Sequence, residues 1–232
     1  MRLVVPVLAA ALWAGAGLAD PFVIAEARYD APTERYPHGA LGDPLEWGAL
    51  VLRAENGREI RLTLPDYRVF EDVAPRLADV DLDGEPEAIT VESDAQFGAR
   101  LAIYDDEGLV AATPFIGTRF RWLAPVAAAD LDGDGTVELA YVDRPHLAKV
   151  LRVWRFVDGE LRPVAEAPGL TNHHYGLDVI EGGVRDCGNG LELLTADAAW
   201  RRIIATRLEG GQLLHRDIGG YTPEMLEEAL SC

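Results

Sequence analysis

The chain has 232 residues, enough for one domain with a sizeable core, and a formal net charge of −18 at pH 7. So acidic a surface repels nucleic acid and anionic lipid, which excludes both as partners. Hydrophobic residues make up 49% of the chain and only two cysteines are present, so it is neither disordered nor a disulfide-dense scaffold.

Residues 1–19 read as a signal peptide. Arg2 supplies the positive end, an apolar run follows from Leu3 to Leu18, and Gly17-Leu18-Ala19 offers small residues for cleavage. A membrane anchor is the alternative, but the run is barely long enough to span a bilayer and no later stretch is apolar enough. The mature chain is therefore expected to be periplasmic or secreted, with no membrane span after cleavage.

Strands are expected at Phe22–Tyr29, Trp47–Arg53 and Glu59–Leu64, the last two joined by an Asn56-Gly57 turn. Next comes Asp79-Val80-Asp81-Leu82-Asp83-Gly84-Glu85-Pro86-Glu87, and farther on Asp130-Leu131-Asp132-Gly133-Asp134-Gly135-Thr136-Val137-Glu138. Both place acids at positions one, three, five and nine and Gly at six. Ca²⁺ wants six to eight hard oxygens, and carboxylates at alternate positions converge only where the backbone curls tightly around such a glycine. The candidate ligands are Asp79, Asp81, Asp83 and Glu87 with the carbonyl of Glu85, and Asp130, Asp132, Asp134 and Glu138 with the carbonyl of Thr136. The alternative is a pair of ordinary acidic turns. An EF-hand is excluded, because position twelve is Thr90 or Tyr141 and strand-like segments, Glu87–Glu92 and Glu138–Asp143, follow the loops.

A nine-position acidic loop leading straight into a strand resembles the FG-GAP/VCBS repeats of integrin-like β-propellers. The ninth-position Glu departs from the usual Asp but still offers a carboxylate. The resemblance implies Ca²⁺ as the cofactor and, in general terms, a binding role. Around each loop four short strands recur per unit of about fifty residues, the pattern of a propeller blade. Leu177–Val184 and three later segments form a degenerate unit in which Arg185, Cys187 and an early Glu192 break the acidic ladder. The expected fold is all-β: a small propeller of about four blades of four antiparallel strands over residues 20–221. An open or sandwich-like β domain is the alternative. A short helix is expected within 222–232, from Thr222 as N-cap, Pro223 and Glu224 in the first turn, and Met225, Leu226, Ala229 and Leu230 on one face. Two cysteines in an exported chain suggest a Cys187–Cys232 disulfide, two free buried thiols being the other possibility.

Polar and aromatic clusters precede the innermost strand of each unit. From them His38, Arg119, Arg121, Trp122 and His173 are candidate ligand-binding residues at one mouth of the propeller; the plainer alternative is that they cap loops. No catalytic motif is present and no catalytic residue is assigned. The expected function is a calcium-binding interaction module for a glycan or protein partner, with a hydrolase or lyase at the channel mouth as the alternative.

Overall fold

A computed structural model describes residues 21–232, so the expected signal peptide lies outside the described residues. The described chain is all-β apart from one short helix. Its first unit is a meander of β1 (Ile24–Thr33), β2 (Glu46–Ala54) and β3 (Glu59–Thr63). The second comprises β4 (Arg68–Phe70), β5 (Arg76–Ala78), β6 (Glu87–Asp94), β7 (Gly98–Tyr104) and β8 (Leu109–Ala112). The third is β9 (Leu123–Ala129), β10 (Glu138–Asp143), β11 (Val150–Val157) and β12 (Glu160–Pro168). The fourth contains β13 (Leu170–Thr171), β14 (Gly183–Asp186), β15 (Leu191–Asp197), β16 (Arg202–Glu209) and β17 (Gln212–Gly220), followed by α1 (Pro223–Leu230).

These units form three antiparallel sheets, not four separate blades. The reason is β4. It pairs with β2 at Trp47–Phe70 and with β6 from Arg68–Asp94 to Phe70–Glu92, fusing the first two units into one curled eight-stranded sheet. β5 then covers the other half of the same edge of β6. The innermost strand of this unit is thus split in two, as it is in the fourth, where β13 and β14 share one edge of β15. In the third unit β9 runs unbroken except for a bulge opposite Ala140–Tyr141. The expected leading strand Leu177–Val184 is replaced by the shorter and later β14.

Apolar clusters join consecutive layers. Leu50, Leu52 and Phe70 pack with Ala88, Ala102 and Tyr104, while Ile89, Val91, Leu101 and Ile103 pack with Leu123, Leu139 and Tyr141. β6 is therefore buried on both sides along its whole length, including the polar Thr90, Glu92, Ser93 and Asp94, so its sequence shows no alternation of apolar and polar residues. The third sheet meets the fourth unit through Val142, Leu151, Val153, Leu193 and Leu208. The far side of the last sheet, Leu194, Ile203 and Ala205, lies under Leu226 of α1.

The helix begins as its sequence dictates, with the Thr222 side chain accepting from the Met225 N–H at 3.2 Å. Ala229 and Leu230 join Leu226 against the sheet, whereas Met225 points outward and is exposed. The Cys187–Cys232 disulfide clamps the end of this helix to the turn after β14. By chain entropy a loop of this length is worth roughly 4 kcal/mol. No helix among the described residues is long and apolar enough to cross a membrane.

Candidate functional site

Both acidic loops curl as their glycines require. Position six is left-handed in each, with φ of +96° at Gly84 and +87° at Gly135. At position four the second loop has Gly133, but the first holds Leu82 at φ +63°, a conformation that costs a branched side chain about a kcal/mol or more.

The hydrogen bonds repeat from loop to loop. The position-one carboxylate caps the far side of the turn: Asp79 accepts from Asp83 and Gly84, and Asp130 from Gly133, Asp134 and Gly135, at 2.8–3.1 Å. Position five accepts from the N–H of position seven, so Asp83 holds Glu85 and Asp134 holds Thr136. The buried ninth-position glutamate reaches back to the N–H of position two, Glu87 to Val80 at 2.8 Å and Glu138 to Leu131 at 2.9 Å. Carboxylate oxygens of Asp79, Asp81 and Glu87 lie within 4.8 Å of one another, as do those of Asp130, Asp132 and Glu138. This donor set, all oxygen and largely anionic, suits a hard divalent cation. For Glu85 and Thr136, the bonds just described engage backbone N–H groups.

The electrostatics of the two loops differ. Burial, with help from Asp81, Asp83 and Asp79, pushes the Glu87 carboxyl up to about 7. A buried carboxyl beside like charges resists ionisation unless a cation joins it. Burial also raises Glu138, but there the Arg155 guanidinium pulls the other way.

At the opposite ends of the same strands lies an aromatic cavity of about 180 Å³. It is lined by His38, Phe120, Arg121, Trp122, Arg144, His146, Leu147 and Tyr175. Three residues singled out in the sequence, His38, Arg121 and Trp122, thus meet in one place. His173 stands behind the wall, edge-on to Trp122 at 4.8 Å between ring centres. Arg119 lies outside, its guanidinium 4.4 Å from the centre of the Phe120 ring.

The cavity is held by buried polar bonds. Glu71, fully buried, accepts from His38 Nδ1 at 2.5 Å and from the Ser93 hydroxyl, while its carbonyl accepts from the Trp122 indole at 2.7 Å. His173 Nε2–H donates to the Leu177 carbonyl, so its Nδ1 accepts from His146 Nε2–H at 2.8 Å. Burial, then the neighbouring His173, lowers His146 to about 4, keeping it neutral near pH 7. Arg121 donates to the Phe120 carbonyl and, among the described residues, pairs with no carboxylate. Sequence reasoning missed His146 and Tyr175; their only signal was position in loops that follow inner-strand hairpins. Glu71 and Asp72 beside it are both buried.

Residues 79–141, from the first residue of one acidic loop to the strand after the other, match the model of the FG-GAP-like repeat. The chain contains an FG-GAP-like repeat. A comparison with curated proteins gives no match. The FG-GAP-like segment holds both acidic loops and the whole hairpin between them, and it stops short of the arginine-bearing β11.

Proposed function

We propose that this chain is an exported, calcium-stabilised binding module that captures a glycan or protein partner at the cavity between His38, Arg121 and Tyr175. The observation that carries the reading is the division of labour along the strands. The FG-GAP-like loops feed the starts of β6 and β10, and the cavity follows their far ends, about 20 Å away for a six-residue strand. A cation at one end ties down the hairpins; the other end presents aromatic and cationic side chains to a ligand. Arg121, with no carboxylate partner among the described residues of a strongly acidic protein, suits an anionic group on that ligand. The disulfide fits an oxidising compartment, periplasm or exterior.

We read the four hairpin units as degenerate propeller blades. The two ends of the stack meet through loops: the Gly176 N–H donates to the Ala40 carbonyl, and the Tyr175 hydroxyl to that of His38, both at 2.9 Å.

A hydrolase or lyase has one feature in its favour, the His38 imidazole oriented by buried Glu71, the arrangement of a general base and its positioning acid. The two readings separate in a His38→Ala/Arg121→Ala variant of unchanged melting temperature. Probed on arrays of acidic and neutral glycans and with envelope proteins by crosslinking, the wild type should retain a ligand that the variant loses. Equal capture by both overturns the binding site, and turnover lost with affinity kept identifies an enzyme.

A further inference from the structure

In the second acidic loop, a cation is already in place. Arg155, on β11 directly opposite Glu138, extends its guanidinium over the turn. Its Nε donates to Glu138 Oε1, and its two terminal nitrogens donate to Asp132 Oδ2 and Asp134 Oδ2, each at 2.7 Å. One side chain thus engages positions three, five and nine of the ladder.

Among the described residues the first loop has no such partner. One step beyond the Ala88–Tyr104 pair, the residue that would face Glu87 is Asp105, whose carboxylate is spent on its own hairpin turn. The oxygens left without a hydrogen bond or ion pair among the described residues are Asp81 Oδ2, Asp83 Oδ2 and Glu87 Oε1. These are the same three positions that Arg155 occupies in the second loop. Glu87 is only 8% exposed, and one of its carboxylate oxygens lies within 4.8 Å of those of Asp79 and Asp81.

The fourth unit follows the second pattern. Its equivalent glutamate, Glu192, carries Arg185 at 2.8 Å and Arg216 at 2.8 Å. Of Glu87, Glu138 and Glu192, two are therefore neutralised by arginine and one is not.

We propose that Arg155 is the resident cation of the second loop, and that the chain takes up one divalent ion, held by Asp79, Asp81, Asp83 and Glu87. The proposal rests on the calcium reading of the FG-GAP-like loops and sharpens it. A guanidinium stays charged at all working pH values and makes charge-assisted bonds to several carboxylates at once. A calcium ion entering the second loop must displace it, and it then needs six or more oxygens. With Arg155 seated, the only buried carboxylate oxygen left unpartnered there is Asp132 Oδ1. The loop therefore keeps its fold without metal. Calcium dependence is confined to the turn between β5 and β6.

Calorimetric titration of the metal-stripped protein with calcium chloride tests this. The wild type should take up one equivalent. Asp81→Asn should reduce the uptake to none at the same calcium concentration, and Asp132→Asn should leave one. Arg155→Gln should gain a second equivalent and, unlike the wild type, should need calcium to hold residues 130–138 against hydrogen exchange. Two equivalents in the wild type, or one lost in Asp132→Asn, overturns the role of Arg155 while leaving the calcium reading intact. No uptake by the wild type overturns both. The Asp132→Asn comparison decides the matter even if Arg155→Gln does not fold.

Discussion

Glu92→Ala is expected to be the most damaging single substitution in this protein. Glu92 is fully buried on β6 and is the meeting point of three donors. Arg68 reaches Oε1 at 3.0 Å; Arg100 and the Tyr104 hydroxyl reach Oε2 at 2.7 and 3.0 Å. Phe115 lies against both guanidiniums, 5.1 Å from Arg68 and 4.6 Å from Arg100, and narrows their access to water. Removing the carboxylate strands two largely buried cations and a hydroxyl; Asp94 can still serve Arg68, but among the described residues Arg100 has no second acid. Breaking one side of a buried ion pair costs about 3–5 kcal/mol. For a domain of this size that lowers the melting temperature by roughly 10 °C or more. Glu92→Gln keeps the shape and some hydrogen bonds and should cost less. A loss below about 1 kcal/mol in urea unfolding of the alanine variant would contradict this account of the hub.

The second large effect has the opposite sign. Glu46 opens β2, is 1% exposed, and leaves Oε2 without a partner. Burial, then the nearby acids Glu71, Asp43 and Asp72, pushes its carboxyl up to about 10. In the unfolded chain it titrates near 4.3. Between those values the folded state holds a proton that the unfolded state releases, so stability falls as pH rises from about 4.3 toward 10. At pH 7 that linkage amounts to about 4 kcal/mol. Glu46→Gln supplies the neutral shape without the protonation cost. It should stabilise the protein by about 2–3 kcal/mol at pH 7, change little at pH 4, and gain further at pH 8. Unfolding curves at the three pH values check this; a gap that does not change with pH would show that Glu46 is ionised in the fold.

What the sequence made legible was what is local. The acidic ladders, their glycines, the hairpin turns and the helix cap all depend on residues within about ten positions of one another, and each is found in the structure. The disulfide was legible because only two cysteines exist. Strand β4 was not: three residues, Arg68–Phe70, carry no periodicity, and their role depends on pairing with both β2 and β6. Nor was the burial of Glu71, since an acid in a polar run looks solvent-facing until His38 and Ser93 are folded onto it. Arg155 was hidden for the same reason. Its part in the second loop is set by cross-strand register with Glu138, which spacing along the chain does not reveal. The two loops look equivalent in sequence because the ladder is local, and differ in the fold because the residue facing position nine is not.

The central claim, that the FG-GAP-like loop at 79–87 holds a divalent cation, is tested most directly by anomalous diffraction from crystals equilibrated with calcium. The account predicts one strong anomalous peak about 2.3–2.6 Å from carboxylate oxygens of that loop, with Arg155 still seated on Asp132, Asp134 and Glu138. Saturating calcium with no peak between Asp79 and Glu87 would contradict it.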